Sequence, residues 1–103
     1  MSKINVLLAC QNGMSTGIIK KKIEETAVAE GQEITICAVG LDEIKKEASK
    51  FDILLLAPQI KYAAKSVEKD VEGICKFMII DSIDFGTMNG SNVYHKMMKK
   101  LAE

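Results

Sequence analysis

Residues 4–17 read INVLLACQNGMSTG, and the first elements of the fold are predicted from this stretch. Its first six residues are almost all apolar, which is typical of a parallel strand that is covered on both faces. The polar segment that follows, with Asn12-Gly13 at its centre, favours a tight turn. Ser15 or Thr16 can then cap a helix. The stretch therefore predicts a strand, a short loop and a helix, with Cys10 where the strand meets the loop.

Four apolar runs of this kind predict strands: Ile4–Ala9, Ile34–Val39, Ile53–Ala57 and Phe77–Ile80. Helical periodicity follows each of them. The first helix is predicted from a buried stripe of Ile19, Ile23 and Ala27, and the second from its bounds, Leu41–Ser49. The third is predicted over Ile60–Val71, with Ala63, Ala64 and Val67 as its buried stripe. The last is predicted to begin after a cap at Ser91, with Val93, Met97 and Leu101 on its stripe. Strands and helices that alternate predict one α/β domain over residues 1–103, an open four-stranded parallel sheet with helices on both faces.

Composition narrows the class of protein. Fourteen acidic residues balance fourteen basic ones, which argues against a nucleic-acid partner. The first apolar run is too short to cross a bilayer or to form the core of a signal peptide, so we expect a cytoplasmic protein. The three cysteines, Cys10, Cys37 and Cys75, are odd in number and far apart. This spacing predicts reduced thiols and neither a disulfide nor a metal site, with Cys37 and Cys75 as inert buried residues.

Ligands of open parallel sheets bind beyond the carboxyl ends of the strands. That rule points to the loops Cys10–Gly17, Ala57–Tyr62 and Asp81–Gly90. Asp81 and Asp84 in the third loop are expected to form a turn or cap a helix. His95, the only histidine of the sequence, is expected to have a surface role.

The loop after Cys10 has the composition of a phosphate site. The first N–H groups of a helix have no intrahelical partners, and the helix dipole adds partial positive charge, so an anion binds there without a metal. The same amides would stabilise a thiolate and a phosphate bound to it. We therefore predict that Cys10 is a nucleophile, that no cofactor is needed, and that the phosphate is held by residues of the loop: Gln11, Asn12, Gly13, Met14, Ser15, Thr16 and Gly17.

The loop that begins at Cys10 also resembles the phosphate loop of the low-molecular-weight tyrosine phosphatases, which has the pattern C-x5-R. Thr16 stands at the arginine position, and the sequence contains no arginine at all. The group that would grip the phosphate bidentately is therefore missing. A degenerate phosphatase stays open as an alternative, as does a module that binds phosphate or another anion without a covalent step.

Over essentially its whole length the sequence resembles the IIB component of the bacterial sugar phosphotransferase system (PTS), lactose/cellobiose (chitobiose) type. The resemblance lies in residues 6–16, VLLACQNGMST, in residues 54–62, LLLAPQIKY, and in residues 83–90, IDFGTMNG. The sequence departs from the family at Gln11-Asn12, where small residues are common, and at Ala57, where glycine is frequent.

The resemblance implies a relay. A phosphohistidine on a IIA protein would donate its phosphoryl group to Cys10, which would pass it to a disaccharide such as cellobiose, chitobiose or lactose. The sugar would be held by the membrane protein IIC, through which the chain would associate with the inner face of the membrane. The resemblance also implies that Pro58, Gln59 and Tyr62 line the active site or contact these partners.

Overall fold

The computed structural model describes residues 3–10 and 14–103, and the side chains of residues 3–10 and 16–103. Within these ranges the strands form one parallel sheet in the order β2-β1-β3-β4. Their bounds are β1 (Ile4–Ala9), β2 (Ile34–Val39), β3 (Ile53–Leu56) and β4 (Lys76–Ile79). The predicted four-stranded parallel sheet is confirmed, and each strand begins and ends within one residue of its expected bounds.

Helices connect the strands in the order that the sequence predicts. They are α1 (Met14–Ala29), α2 (Ile44–Glu47), α3 (Ala64–Val71), α4 (Ser82–Gly86) and α5 (Gly90–Leu101). Short 3-10 turns over Leu41–Glu43, Ala48–Lys50 and Pro58–Ala63 flank α2 and precede α3. Helices α1 and α5 pack against each other on one face of the sheet, while α2 and α3 contact each other on the other face.

The core lies between the two central strands and the helices. Residues 6–9 of β1 and 53–56 of β3 are fully buried, as are Ile19 and Ile23 on the predicted stripe of α1. The stripe after β3 differs from the prediction, because Ala63 and Ala64 are only half-buried while Ile60, Val67 and Val71 are buried. The 3-10 turn causes this difference, since three residues per turn change the phase of the pattern before α3 begins.

The edge strands are more open than predicted. Along β2 only Ile36 is buried, and β4 has no buried residue. The prediction that Cys37 is buried is wrong, because Cys37 is exposed on β2. An edge strand has one neighbouring strand instead of two, so an apolar run there does not ensure burial. Cys75 is half-buried, and burial, with a smaller contribution from the Asp52 carboxylate, raises the pKa of its thiol.

The start of α5 was also predicted incorrectly. Asn89 is the capping residue, and its Oδ1 accepts a hydrogen bond from the Asn92 N–H at 3.0 Å. Ser91 lies inside the helix instead. Val93 and Met97 are buried as expected, whereas Leu101 is half-buried. None of the helices in the described part of the chain is long and apolar enough to cross a membrane.

Candidate functional site

Cys10 lies at the carboxyl end of β1, a central strand, and is 8% exposed. Its N–H donates to the Val39 carbonyl of β2 at 3.1 Å, and on the other side the Ala57 N–H donates to the Ala9 carbonyl at 2.9 Å. The chain leaves β1 toward β2 on one side and later returns to β3 on the other. Cys10 is therefore at the point where the strand order reverses, which is where open α/β sheets bind ligands.

Helix α1 begins at Met14, four positions after Cys10. Its first N–H groups therefore face the carboxyl edge of the sheet, where they are free of intrahelical partners. Gln11, Asn12 and Gly13 lie outside the described residues, so their predicted contacts to phosphate stay predictions. Met14 and Ser15 are described only as backbone within α1. Their predicted contacts to phosphate therefore also stay predictions.

The last two residues of the predicted phosphate site belong to the first turn of α1. Thr16 is buried, at 8% exposure, and Gly17 is exposed. A Cβ atom added at Gly17 would have no heavy atom within 4 Å. The fold therefore does not require glycine at position 17.

We expect Gly17→Ala to raise the free energy of unfolding by about 0.5–1 kcal/mol, because alanine loses less backbone entropy in a helix than glycine does. Urea denaturation followed by circular dichroism measures this change. A loss of stability would show that the side chain meets an obstacle near the start of α1.

The segment after β3 lies beside Cys10 at the same edge. Pro58 begins the 3-10 turn and is half-buried, Gln59 is exposed, and Tyr62 is 74% exposed. Two exposed residues were missed by the sequence reasoning: Ile79, at the end of β4, and Ile83, in α4, at 42% and 73% exposure. Their apolar character predicts burial, and only the edge position of β4 and the short helix after it bring them to the surface.

The loop after β4 contains two aspartates with different roles. Asp81 caps α4, as predicted, and its Oδ1 accepts from the N–H groups of Ile83 at 2.8 Å and Asp84 at 3.2 Å. Asp84 is buried, and its carboxylate accepts from Lys96 Nζ at 2.7 Å and Asn92 Nδ2 at 3.1 Å. These hydrogen bonds, first from Lys96 and then from Asn92, lower the pKa of Asp84. Asp84 therefore connects α4 to α5.

His95 lies far from Cys10. Its Nε2 is 3.4 Å from Glu30 Oε2, and Glu30 directly follows the last residue of α1. The sixteen residues of α1 separate this contact from the start of the helix by about 24 Å at 1.5 Å per residue. His95 is exposed and its Nδ1 is 3.5 Å from Ser91 Oγ. This placement fits the predicted surface role.

Comparison with known proteins identifies relatives across nearly the whole chain. The family model "PTS system, Lactose/Cellobiose specific IIB subunit" matches residues 5–96. An oligo-beta-mannoside-specific EIIB component of Bacillus subtilis is 32% identical over 94 residues, 90% of this chain and 91% of that protein. A cellobiose-specific EIIB component of Lactococcus lactis is 32% identical over 85% of this chain and 87% of its own length.

Solved structures agree with these matches. The solution structure of a cellobiose-specific IIB protein from Borrelia burgdorferi is 33% identical, has a TM-score of 0.80, and covers 98% of this chain and 94% of its own. A lactose-specific IIB domain from Streptococcus pneumoniae has a TM-score of 0.84 at 14% identity, with 96% of this chain and 98% of its own covered, which shows the shared fold. The chain belongs to the lactose/cellobiose-specific IIB family of the sugar phosphotransferase system.

Proposed function

We propose that residues 1–103 act as one IIB domain that carries a phosphoryl group on Cys10. The thiolate sulfur would attack the phosphorus of a phosphohistidine on a IIA protein, which breaks the N–P bond and returns the electron pair to the imidazole. A hydroxyl oxygen of the sugar held by IIC would then attack phosphorus and release its proton to water, which breaks the S–P bond and restores the thiolate. The observation that carries this proposal is the position of Cys10 at the end of central strand β1, just before α1.

The arrangement suits a carrier better than a hydrolase. Amides at the start of α1 would stabilise negative charge on sulfur and on phosphate alike. The chain contains no arginine, so it lacks the bidentate group that would stabilise the transition state for attack by water. A phosphocysteine held in this way persists until a partner supplies an acceptor, and no cofactor enters the reaction.

The carboxyl edge of the sheet also offers a surface for both partners. Tyr62, Ile79 and Ile83 are exposed after β3 and at or after the end of β4, and Pro58 and Gln59 follow β3, the strand that neighbours β1. We place brief contacts with IIA and with the cytoplasmic side of IIC on this surface, since transient relay interfaces are small. The sugar would be a disaccharide of the cellobiose, chitobiose or lactose kind, selected mainly by IIC.

The test is transfer of radiolabelled phosphate from a phosphorylated IIA protein of this family to the purified chain. We expect the label on a peptide that contains Cys10, and we expect Cys10→Ser to abolish it completely. Cys37→Ser, Cys75→Ser and His95→Gln serve as matched controls and should keep the label. Because a thiophosphate ester differs from phosphohistidine in its acid and alkali stability, the bond type can be assigned directly.

Three outcomes would overturn the relay. Label that persists in Cys10→Ser would place the acceptor elsewhere. Phosphate binding by calorimetry without any labelling would indicate a non-covalent anion module. Release of free phosphate from an aryl phosphate would indicate a phosphatase.

A further inference from the structure

The buried carboxylate of Asp84 is held at two points on α5. Its Oδ2 accepts from Lys96 Nζ at 2.7 Å, and its Oδ1 accepts from Asn92 Nδ2 at 3.1 Å. Asn92 and Lys96 are four positions apart, so they lie one turn apart on the same face of α5. Because each carboxylate oxygen has its own donor, α4 cannot rotate against α5 without losing a hydrogen bond.

Helix α4 depends on these contacts for its orientation. With five residues it is too short to be stable on its own. Phe85, the next residue, is buried, but apolar burial is non-directional. A buried ion pair often stabilises a fold no more than apolar residues of the same size, whereas hydrogen bonds to a charged group are short and directional. The Asp84 carboxylate therefore fixes the direction in which α4 points.

The orientation of α4 decides where Ile83 points. Ile83 lies in the first turn of α4 and is 73% exposed. The side chains of a helix tilt toward its N-terminus, and α4 starts shortly after β4, at the carboxyl edge of the sheet. The Ile83 side chain therefore leans toward the edge on which Cys10 lies.

Strand pairing gives the distance between α4 and Cys10. The Ile80 N–H donates to the Leu56 carbonyl at 2.9 Å, which joins the end of β4 to β3. The Ala57 N–H donates to the Ala9 carbonyl, also at 2.9 Å, which joins the end of β3 to β1. Two strand spacings therefore place the end of β4 about 10 Å from Cys10. A small transient interface buries about 600 Å² on each partner, a circle of about 14 Å radius. A partner centred over Cys10 therefore covers the start of α4.

We propose that Asp84 is a positioning residue for phosphoryl transfer from IIA: it holds α4 so that Ile83 packs against the IIA protein. This inference rests on the proposed relay. IIA is the occupant because its phosphohistidine is part of its own surface, and the phosphorus must come within about 3–3.5 Å of the Cys10 sulfur. That surface must therefore be centred over Cys10, whereas IIC presents its acceptor hydroxyl on a bound sugar, which lies between the two proteins.

Single-turnover transfer of radiolabelled phosphate tests this inference, with phosphorylated IIA varied in excess over the full chain. The data give the half-saturating IIA concentration and the maximum rate separately. We expect Ile83→Ala and Asp84→Asn each to raise the half-saturating concentration by about fivefold or more, as for an interface residue that contributes measurably to binding. The maximum rate should stay within about twofold of the wild-type rate, because neither residue touches the reacting atoms.

Matched variants separate this effect from a loss of stability. Val28 is 78% exposed but lies about 21 Å along α1 from Met14, outside the expected contact area, so Val28→Ala should change neither value. Val71→Ala removes buried methyl groups at the far end of α3, which should lower the stability of the fold without changing transfer. Lys96→Met should act like Asp84→Asn, whereas Lys96→Arg keeps a charged donor and should behave like the wild type.

The double variant distinguishes positioning from a merely structural role. If Asp84 acts by orienting Ile83, Asp84→Asn should add nothing in a chain that already carries Ile83→Ala. Effects that add, or a half-saturating concentration for Asp84→Asn equal to that of the wild type, overturn the inference alone. Unchanged labelling of Ile83→Ala with slower sugar phosphorylation by vesicles that contain IIC would assign α4 to IIC and also overturn it. A wild-type chain that takes no label overturns the relay, and this inference with it.

Discussion

Gly90→Ala should lower the free energy of unfolding by about 2–3 kcal/mol, the upper part of the range for overpacked sites. A Cβ atom at Gly90 would lie 2.5 Å from the carbonyl carbon and Cβ of Lys22 and 2.7 Å from the backbone nitrogen of Ile23. Two of these atoms belong to the backbone of α1 and cannot rotate away. The methyl group must therefore separate α1 from α5, which pack against each other across this point.

The comparison with two other glycines isolates the cause of this loss. A Cβ atom at Gly17 or at Gly86 would meet no heavy atom within 4 Å. Both residues are helical, so alanine at Gly17 gains about 0.5–1 kcal/mol from the smaller entropy cost, and alanine at Gly86 should change little at the end of α4. Urea titrations of the three variants measure the differences, and Gly90→Ala within about 0.5 kcal/mol of the wild type would contradict the close packing of α1 on α5.

Long elements with a clear period could be predicted from the sequence. Two patterns predict β1 and α1 correctly: the apolar run of β1 and the stripe of Ile19, Ile23 and Ala27. Together they also predict the position of Cys10 at the carboxyl edge. Short elements could not be predicted in the same way. Helix α4 has five residues, too few to show a period, and its stability depends on the cap at Asp81 and the contacts of Asp84.

The contact between Asp84 and Lys96, on either side of a turn, could not be predicted from the sequence either. Lys96 follows Asp84 by twelve positions. Because the chain reverses between them, neither helical nor strand periodicity predicts that their side chains are in contact. The exposure of Cys37 was hidden for another reason, since an apolar run does not reveal whether its strand lies at the centre or the edge of a sheet. For the candidate site, the sequence therefore predicted the position of Cys10 at the carboxyl edge, but not the exposure of Ile79 and Ile83 or the contacts of Asp84 that anchor α4.

The anchor at Asp84 should make the stability of the protein depend on pH. Asp84→Asn removes the charge that receives hydrogen bonds from Lys96 and Asn92, and hydrogen bonds to a charged group contribute about 1.5–3 kcal/mol. Lys96 is itself half exposed, so solvent screens the pair. We therefore expect Asp84→Asn to lower the free energy of unfolding by an amount in the lower part of that range. Lys96→Met should also destabilise the fold, because it leaves a buried carboxylate without its cation.

The direction of the pH effect follows from the lowered pKa of Asp84. A carboxyl whose pKa is lower in the folded than in the unfolded chain stabilises the fold above the unfolded pKa of about 3.9, and this contribution is lost as the pH falls through the folded pKa. The stability difference between wild type and Asp84→Asn should therefore be constant near neutrality and shrink below about pH 4. Asp81→Asn is the control: its amide oxygen can still cap α4, so it should change stability little. A difference between wild type and Asp84→Asn that stays the same from neutral to strongly acidic pH would mean that the Asp84 charge does not hold α4 against α5.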